Sequence, residues 1–168
     1  SAPETVTRLL DMGMDPFSFA DALLGVLAQR LVRRLCMACR VEHEATPEAI
    51  EDLLQEYLLA FPKGASVPSR DVVLADWLRR LGHDGHLRHY TNTGCEQCHH
   101  TGFKGRVAIH ELMVVTREMR RLIQTGSRAE ELQFQSMQEG MRTLRQDGIE
   151  KVLAGLTNIE EVRATSNT

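Results

Sequence analysis

All four cysteines of the chain occur in two pairs, and each pair has the spacing of a metal-binding knuckle. The pairs are Cys36 with Cys39 and Cys95 with Cys98. Two intervening residues let both sulfur atoms of a pair point at one ion, and two pairs complete the tetrahedron that zinc prefers. Residues 40–94 separate the pairs, a spacer much longer than in a compact zinc ribbon. The pattern therefore predicts a zinc site that closes a long loop.

A zinc ion with four protein thiolates has no open coordination position. Neither water nor substrate reaches the ion, so the pattern predicts a structural site and argues against a zinc hydrolase. Four thiolates also leave the site with a net negative charge. Arg34, Arg40, His99 and His100 lie close to the knuckles in sequence, and we hypothesise that they offset this charge.

Other interpretations of the cysteines are two disulfides, one redox-active pair, or four unrelated core residues. Disulfides are typical of exported chains, and the residues from Ser1 to Glu4 lack the features of a secretory signal. A single redox pair would leave the second pair unexplained. His43, His99 or His100 are alternative ligands in place of one cysteine. Zinc bound by Cys36, Cys39, Cys95 and Cys98 accounts for the whole pattern.

The composition is that of a folded globular chain with one core, or a core and a small module. Hydrophobic residues make up 42% and charged residues 26% of the 168 residues. A net charge of −3 and 5% aromatic residues provide neither a phosphate-binding stripe nor stacking platforms. We therefore expect no nucleic-acid partner, although the knuckles and the arginine-rich segment 30–40 keep a zinc-dependent nucleic-acid-binding module as the alternative. The apolar run at residues 23–27 is too short to span a bilayer.

Helix signals dominate the segments that would position the knuckles. Asp15 and Pro16 predict a helix start, and a stripe of apolar residues follows as far as the first knuckle. The stripe consists of Phe17, Ala20, Leu23, Leu24, Leu27, Leu31 and Leu35. Thr46 and Pro47 start a second helix, and a third ends before Gly82, with a break at residues 61–64. Two helices are therefore predicted between the knuckles.

The strand signals are fewer than the helix signals. Residues 103–115 favour a strand or hairpin arm, and residues 87–90 a short strand. The predicted fold class is mainly α with a short β hairpin or small sheet.

Helix signals resume after residue 115. Residues 127–130 and 157–160 each match a capping box, and the stripe at residues 141–153 predicts a helix that stops at Gly155. Residues 166–168 are predicted to be a frayed tail.

Four blocks in a fixed order resemble a known family, the type II secretion and type IV pilus assembly ATPases. The blocks are Leu24-Gly-Val-Leu-Ala-Gln-Arg-Leu31 with Arg34-Leu-Cys36-x-x-Cys39; Gly94-Cys95-x-x-Cys98-x-x-Thr101-Gly102-Phe103-x-Gly105-Arg106; Ile109-x-Glu111; and Met141-x-x-Leu144-x-x-Asp147-Gly148-Ile149-x-Lys151 with its continuation to Val162. The resemblance covers most of the chain. Residues 44–87 match only as a variable helical loop.

The resemblance implies the C-terminal portion of a RecA-like ATPase domain with an inserted tetracysteine zinc subdomain. The implied division is a helical segment at residues 1–35, a zinc-binding helical insertion at 36–102, and a strand with a C-terminal helical bundle at 103–168. No G-x-x-x-x-G-K-[ST] motif occurs in the chain, so ATP and Mg²⁺ are expected only in an upstream part of the parent protein. This segment alone is not expected to be an enzyme.

The resemblance also implies a place in a machine. The parent would be a hexamer that powers pilus or pseudopilus assembly and protein secretion. Its partners would be the other subunits of the hexamer and platform proteins of the inner membrane. The expected location is cytoplasmic and peripheral to that membrane through these partners.

Overall fold

The computed structural model describes residues 1–166, in which α-helices alternate with two small antiparallel sheets. The helices are α1 (Ala2–Asp11), α2 (Pro16–Ala22), α3 (Pro47–Leu59), α4 (Arg70–Leu81), α5 (Arg117–Gln124), α6 (Ala129–Gln138), α7 (Leu144–Leu153) and α8 (Ile159–Thr165). The strands are β1 (Gly25–Leu35), β2 (Arg40–Glu44), β3 (Arg88–Asn92) and β4 (Phe103–Val114), with one 3₁₀ turn at Glu96–Cys98. The predicted fold class, mainly α with a small sheet, is confirmed.

The two sheets bring the two knuckles together. Strand β1 pairs with β4, from Gly25 opposite Val114 to Leu35 opposite Phe103. Strand β2 pairs with β3, from Arg40 opposite Asn92 onwards. One knuckle connects β1 to β2, and the other connects β3 to β4. Both knuckles therefore lie at the junction of the two sheets.

The structure contradicts the prediction that a helix runs to Leu35. Helix α2 ends at Ala22, and β1 begins at Gly25, so the helical segment predicted at residues 1–35 ends in a long strand. The apolar spacing of residues 24–35 fits a helix, but β4 provides a partner for the backbone along the whole segment. Pairing with a strand distant in sequence outweighs a local periodicity.

The strand geometry also changes which leucines are buried. Successive side chains of a strand point to opposite faces, and Leu27 and Leu31 lie on the outer face of β1. They are 56% and 50% exposed, and Leu24, just before the strand, is 80% exposed. The prediction that the apolar stripe forms the core is therefore wrong for these three leucines. It is also wrong for Phe17, which is 62% exposed, and it holds for Ala20 and Leu35, which are buried, and for the partly buried Leu23.

The predicted helices between the knuckles are confirmed as α3 and α4. Thr46 caps α3, with its hydroxyl accepting from the amide of Ala49, and Gly82 follows α4. The two helices pack through Tyr57 and Trp77, whose rings meet edge to face at 5.3 Å between centroids. Trp77 is fully buried and belongs to the main core together with residues of α1, α5, α6 and α7. The helical loop is thus part of one continuous core.

Two predicted helix caps are displaced by one residue. The N-caps of α6 and α8 are Arg128 and Asn158, rather than Ser127 and Thr157. The Thr157 hydroxyl instead donates to the backbone carbonyl of Arg33 in β1, at 2.8 Å. A contact across the fold therefore takes the side chain that the local pattern assigned to capping.

The predicted frayed tail begins with a residue that is fixed. Ser166 is buried, and its hydroxyl accepts a hydrogen bond from Nε of Arg145 at 2.8 Å. Residues 167–168 lie outside the described part of the chain. The prediction of fraying is wrong for Ser166.

Helices α7 and α8 touch at a glycine, which provides a test of their packing. A Cβ atom on Gly148 would lie 2.9 Å from Cγ2 of Val162 and closer still to Cγ1. Gly148→Ala should therefore lower the free energy of unfolding by about 1–3 kcal/mol through overpacking, despite alanine's higher helix propensity. In a Val162→Ala background the same substitution should cost little. Urea denaturation of the four proteins measures the coupling, and equal costs in both backgrounds would contradict this packing.

Candidate metal centre

The structure brings the four predicted ligands together. The ligand atoms of Cys36, Cys39, Cys95 and Cys98 all lie within 4.8 Å of one another. Cys36 and Cys98 are buried, and Cys39 and Cys95 are half-buried. Among residues 1–166 these four form the one group of three or more potential ligands that converges, so neither His43 nor the histidine pair at residues 99–100 joins it.

The distances between the sulfur atoms fit a shared metal ion. They are 3.8 Å from Cys36 to Cys95, 3.8 Å from Cys95 to Cys98, and 4.0 Å from Cys39 to Cys98. A tetrahedron with zinc–sulfur bonds of about 2.3 Å has edges of about 3.8 Å. A disulfide bond, at about 2.05 Å, is much shorter. The arrangement could therefore hold one metal ion with four thiolates.

Backbone amides contribute to the site by binding the sulfur of Cys98. The N–H groups of Cys95 and Gly102 each donate to this sulfur at 3.2 Å. Burial acts to raise the pKa of Cys98, but the two amides and the neighbouring thiols lower that pKa to about 6. Burial, together with the other three thiols, raises the pKa of Cys39 to about 11. Metal binding at neutral pH should therefore release protons from the cluster.

The knuckles are attached to each other and to the C-terminal helices. The amide of Cys36 donates to the carbonyl of Gly102 at 2.9 Å, which joins the knuckles. The amide of Leu35 donates to the carbonyl of Leu156 at 2.9 Å, in the loop between α7 and α8. The Arg40 guanidinium donates to the carbonyl of Gly155 at 2.5 Å. A bound ion would therefore fix the helical loop relative to the C-terminal helices.

The cations proposed to offset the thiolate charge do not touch the sulfur atoms. The Arg40 guanidinium lies 4.8 Å from the ring centre of Tyr90 and is directed at a backbone carbonyl. Nε of Arg34 is buried without a hydrogen-bond partner in residues 1–166. His99 and His100 are exposed. From outside the four cysteines, backbone groups contact the sulfur atoms instead: the amide of Gly102 donates to Cys98, and a backbone hydrogen bond from Gly94 opposes the rise in the pKa of Cys39.

Gly102 is the contributor to the site that sequence reasoning missed. Its φ is +81°, and a Cβ there would meet Cγ of Asn92 at 3.0 Å. The Asn92 side-chain amide also donates to the Gly102 carbonyl at 2.8 Å. Only glycine accommodates both this backbone conformation and this close approach. The available signal was the Thr101-Gly102 pair, which follows the second knuckle after His99 and His100.

Two further residues of the resembling blocks have different environments. Arg106 is exposed and lies opposite Arg33 in the sheet. Glu111 is buried, and its two carboxylate oxygens accept from the backbone amides of Ala2 at 2.8 Å and Leu144 at 3.2 Å. These amides begin α1 and α7. Glu111 therefore binds two helix N-termini, where a carboxylate is favourable.

The fold and the site together define a mainly helical protein with a closed tetracysteine site. The family model described as "Type II/IV secretion system protein" matches residues 1–164. The chain therefore belongs to the type II/IV secretion system protein family.

Several curated relatives match almost the whole chain. The type IV pilus assembly ATPase PilB of Thermus thermophilus is 43% identical over 164 residues, which are 97% of this chain and 16% of the relative. The type II secretion system protein HxcR of Pseudomonas aeruginosa is 35% identical, over 96% of this chain and 25% of the relative. The type II secretion system ATPase E of Vibrio cholerae is 38% identical, over 96% and 27%. The chain thus spans about a quarter or less of the length of these relatives.

A helix needs about 20 consecutive, predominantly apolar residues to span a bilayer. None of the helices in residues 1–166 is long and apolar enough to cross a membrane.

Proposed function

We propose that this chain is a structural module of a longer secretion or pilus-assembly ATPase. One zinc ion, bound by its four cysteines, would hold the two knuckles of the module together. The observation that carries the proposal is the convergence of Cys36, Cys39, Cys95 and Cys98, with sulfur–sulfur distances that suit a zinc tetrahedron. Zinc suits four thiolates in this geometry and has no redox chemistry of its own. Bound there, it would supply a fixed cross-link between the two knuckles.

The motor chemistry belongs, in this proposal, to other parts of the parent protein. The chain has no G-x-x-x-x-G-K-[ST] motif to hold nucleotide phosphates. The three relatives named above carry the word "ATPase" or "secretion" in their names. Each is about four or more times as long as the matched region. The chain would shape and complete the C-terminal part of a RecA-like ATPase domain without itself hydrolysing ATP.

The outer face of the β1–β4 sheet supports the proposal that this chain is part of a larger protein. Leu27 and Leu31 on β1 and Leu112 and Val114 on β4 share this face, and each is at least half exposed. The polar pair Gln29 and His110 lies between Leu27 and Leu31 on this face, and exposed apolar residues rimmed by polar ones are typical of a contact surface. We propose that the remaining three quarters or more of the parent chain covers it.

The proposal includes the setting of the parent protein. It would act as a hexamer on the cytoplasmic side of the inner membrane, held there by platform proteins. Its work would be the assembly of pilus or pseudopilus subunits. Nucleic acid is not a partner in this proposal.

Zinc stoichiometry is the experiment that tests the module directly. Elemental analysis of the purified chain should give one zinc per chain, and a chelator should remove it with a lower melting temperature. The same preparation should show no ATP turnover. Metal-free protein with an unchanged melting temperature would overturn the structural zinc site. ATP turnover by the isolated chain would overturn the assignment of ATP hydrolysis to other parts of the parent protein.

A further inference from the structure

A cleft of about 500 Å³ lies between the insertion (residues 36–102) and the C-terminal helices, and none of the four cysteines lines it. Helix α3, strand β3 and helices α7 and α8 form its walls. Ile50, Leu53, Val152 and Ile159 line it and are only partly buried. This volume lies in the range of protein binding pockets, and these walls would accept large aliphatic side chains.

The edge of β3 that borders this cleft has free backbone groups. The amide of Ala45 donates to the carbonyl of Leu87, which sets the alternation of the β2–β3 ladder. His89 and Thr91 therefore direct their backbone groups at β2, and Arg88, Tyr90 and Asn92 direct theirs the other way. Within residues 1–166 these outward backbone groups have no hydrogen-bond partner. All five residues of β3 line the cleft.

The charge that remains uncompensated at the cleft is acidic. Asp52 and Glu160 line it, are exposed, and form no ion pair within the described residues. The two arginines of the cleft already have carboxylate partners. Arg163 lies 2.8 Å from a Glu56 oxygen, and Arg88 contacts the carboxylates of Glu42 and Asp84.

We propose that this cleft binds an extended segment of another protein, in which basic residues alternate with large aliphatic ones. The segment would add to the free edge of β3 as a third strand, with main-chain hydrogen bonds to Arg88, Tyr90 and Asn92. Alternate side chains of a strand point in opposite directions. The aliphatic ones would enter the cleft between α3 and α7, and the basic ones would meet Asp52 and Glu160. The acidic rim disfavours acidic peptides and nucleic acid.

The test is a titration of the zinc-loaded protein with a defined peptide, followed by amide hydrogen exchange. The probe is an eight-residue peptide of alternating lysine and valine, blocked at both ends. Binding should slow exchange at Tyr90 and Asn92, whose amides point outward, and leave Thr91 nearly unchanged because β2 already protects it. The same peptide with glutamate in place of lysine should not bind.

Two charge reversals on α3 provide a matched pair. Asp52→Lys should weaken binding of the lysine peptide about tenfold, because it removes an attraction and adds a repulsion. Glu48→Lys changes the same charge on an exposed residue of the same helix that does not line the cleft, and should change the affinity by less than about twofold. Melting curves verify that both variants are folded.

Three outcomes would overturn the proposal. The first is no alternating protection along β3 at about 1 mM peptide, a concentration that detects even weak complexes. The second is an equal loss of affinity in the two variants. The third is protection of Tyr90 and Asn92 that rises with protein concentration before peptide is added, which would assign the edge to a second copy of the chain.

Discussion

Cys98→Ser should abolish stoichiometric zinc binding and lower the free energy of unfolding by about 4 kcal/mol. This magnitude is the chain-entropy estimate for a cross-link that closes a loop of this length. It corresponds to a fall in melting temperature of about 10 °C for a domain of this size. Serine lacks the thiolate that zinc requires, and the amides of Cys95 and Gly102 lose the sulfur that they bind.

The damage should concentrate in the insertion. Tyr57 of α3 remains attached to the C-terminal helices, since its carbonyl accepts from Nε2 of Gln146 at 2.9 Å and its hydroxyl from Nε of Arg142 at 3.2 Å. Hydrogen exchange should therefore rise first around both knuckles, while the β1–β4 sheet stays protected. Adding a chelator to the unmodified protein should reproduce this pattern, which covers the possibility that the variant does not fold.

Met37→Ser is the matched control for this substitution. Met37 lies between the two cysteines of the first knuckle, and its side chain is 52% exposed. The variant should keep one zinc per chain and melt within a few degrees of the unmodified protein, since exposed positions change stability little. If Cys98→Ser retained one zinc and an unchanged melt, the four-thiolate site would be wrong.

Glu111→Ala should lower the free energy of unfolding by about 2–4 kcal/mol without changing the zinc content. The substitution leaves two buried amides, those of Ala2 and Leu144, without acceptors, and each unsatisfied group costs about 1–3 kcal/mol. It also removes a negative charge from two helix N-termini. Urea denaturation, together with elemental analysis, separates this loss from a loss of metal.

Two other variants provide a comparison for the loss of unfolding free energy expected of Glu111→Ala. Glu111→Gln keeps the shape and one carbonyl oxygen but directs an NH₂ group at one of the amides, so its cost should be intermediate. Glu118→Ala removes a carboxylate that pairs with Arg121 on the surface of α5, and should cost less than about 1 kcal/mol. Equal costs for Glu111→Ala and Glu118→Ala would show that Glu111 does not hold the two helices.

The sequence determined the features of this protein that depend on local chemistry. The knuckle spacing identified all four residues of the cluster, because two sulfur atoms separated by two residues can converge without knowledge of the rest of the fold. Thr46 with Pro47, and Gly82, marked helix ends because capping is satisfied within one turn. The order of the four blocks indicated the family that the comparison then showed.

Only the tertiary structure decided the features that depend on partners distant in sequence. The leucines at positions 27 and 31 fit a helix by spacing, but the backbone of β4 makes their segment a strand and directs them outward. Thr157 matched a capping box, yet its hydroxyl binds β1. Glu111 acquires its role from two helix N-termini, one near each end of the chain. In each case the deciding interaction is a hydrogen bond or a strand pairing across the fold, which a local sequence pattern does not contain.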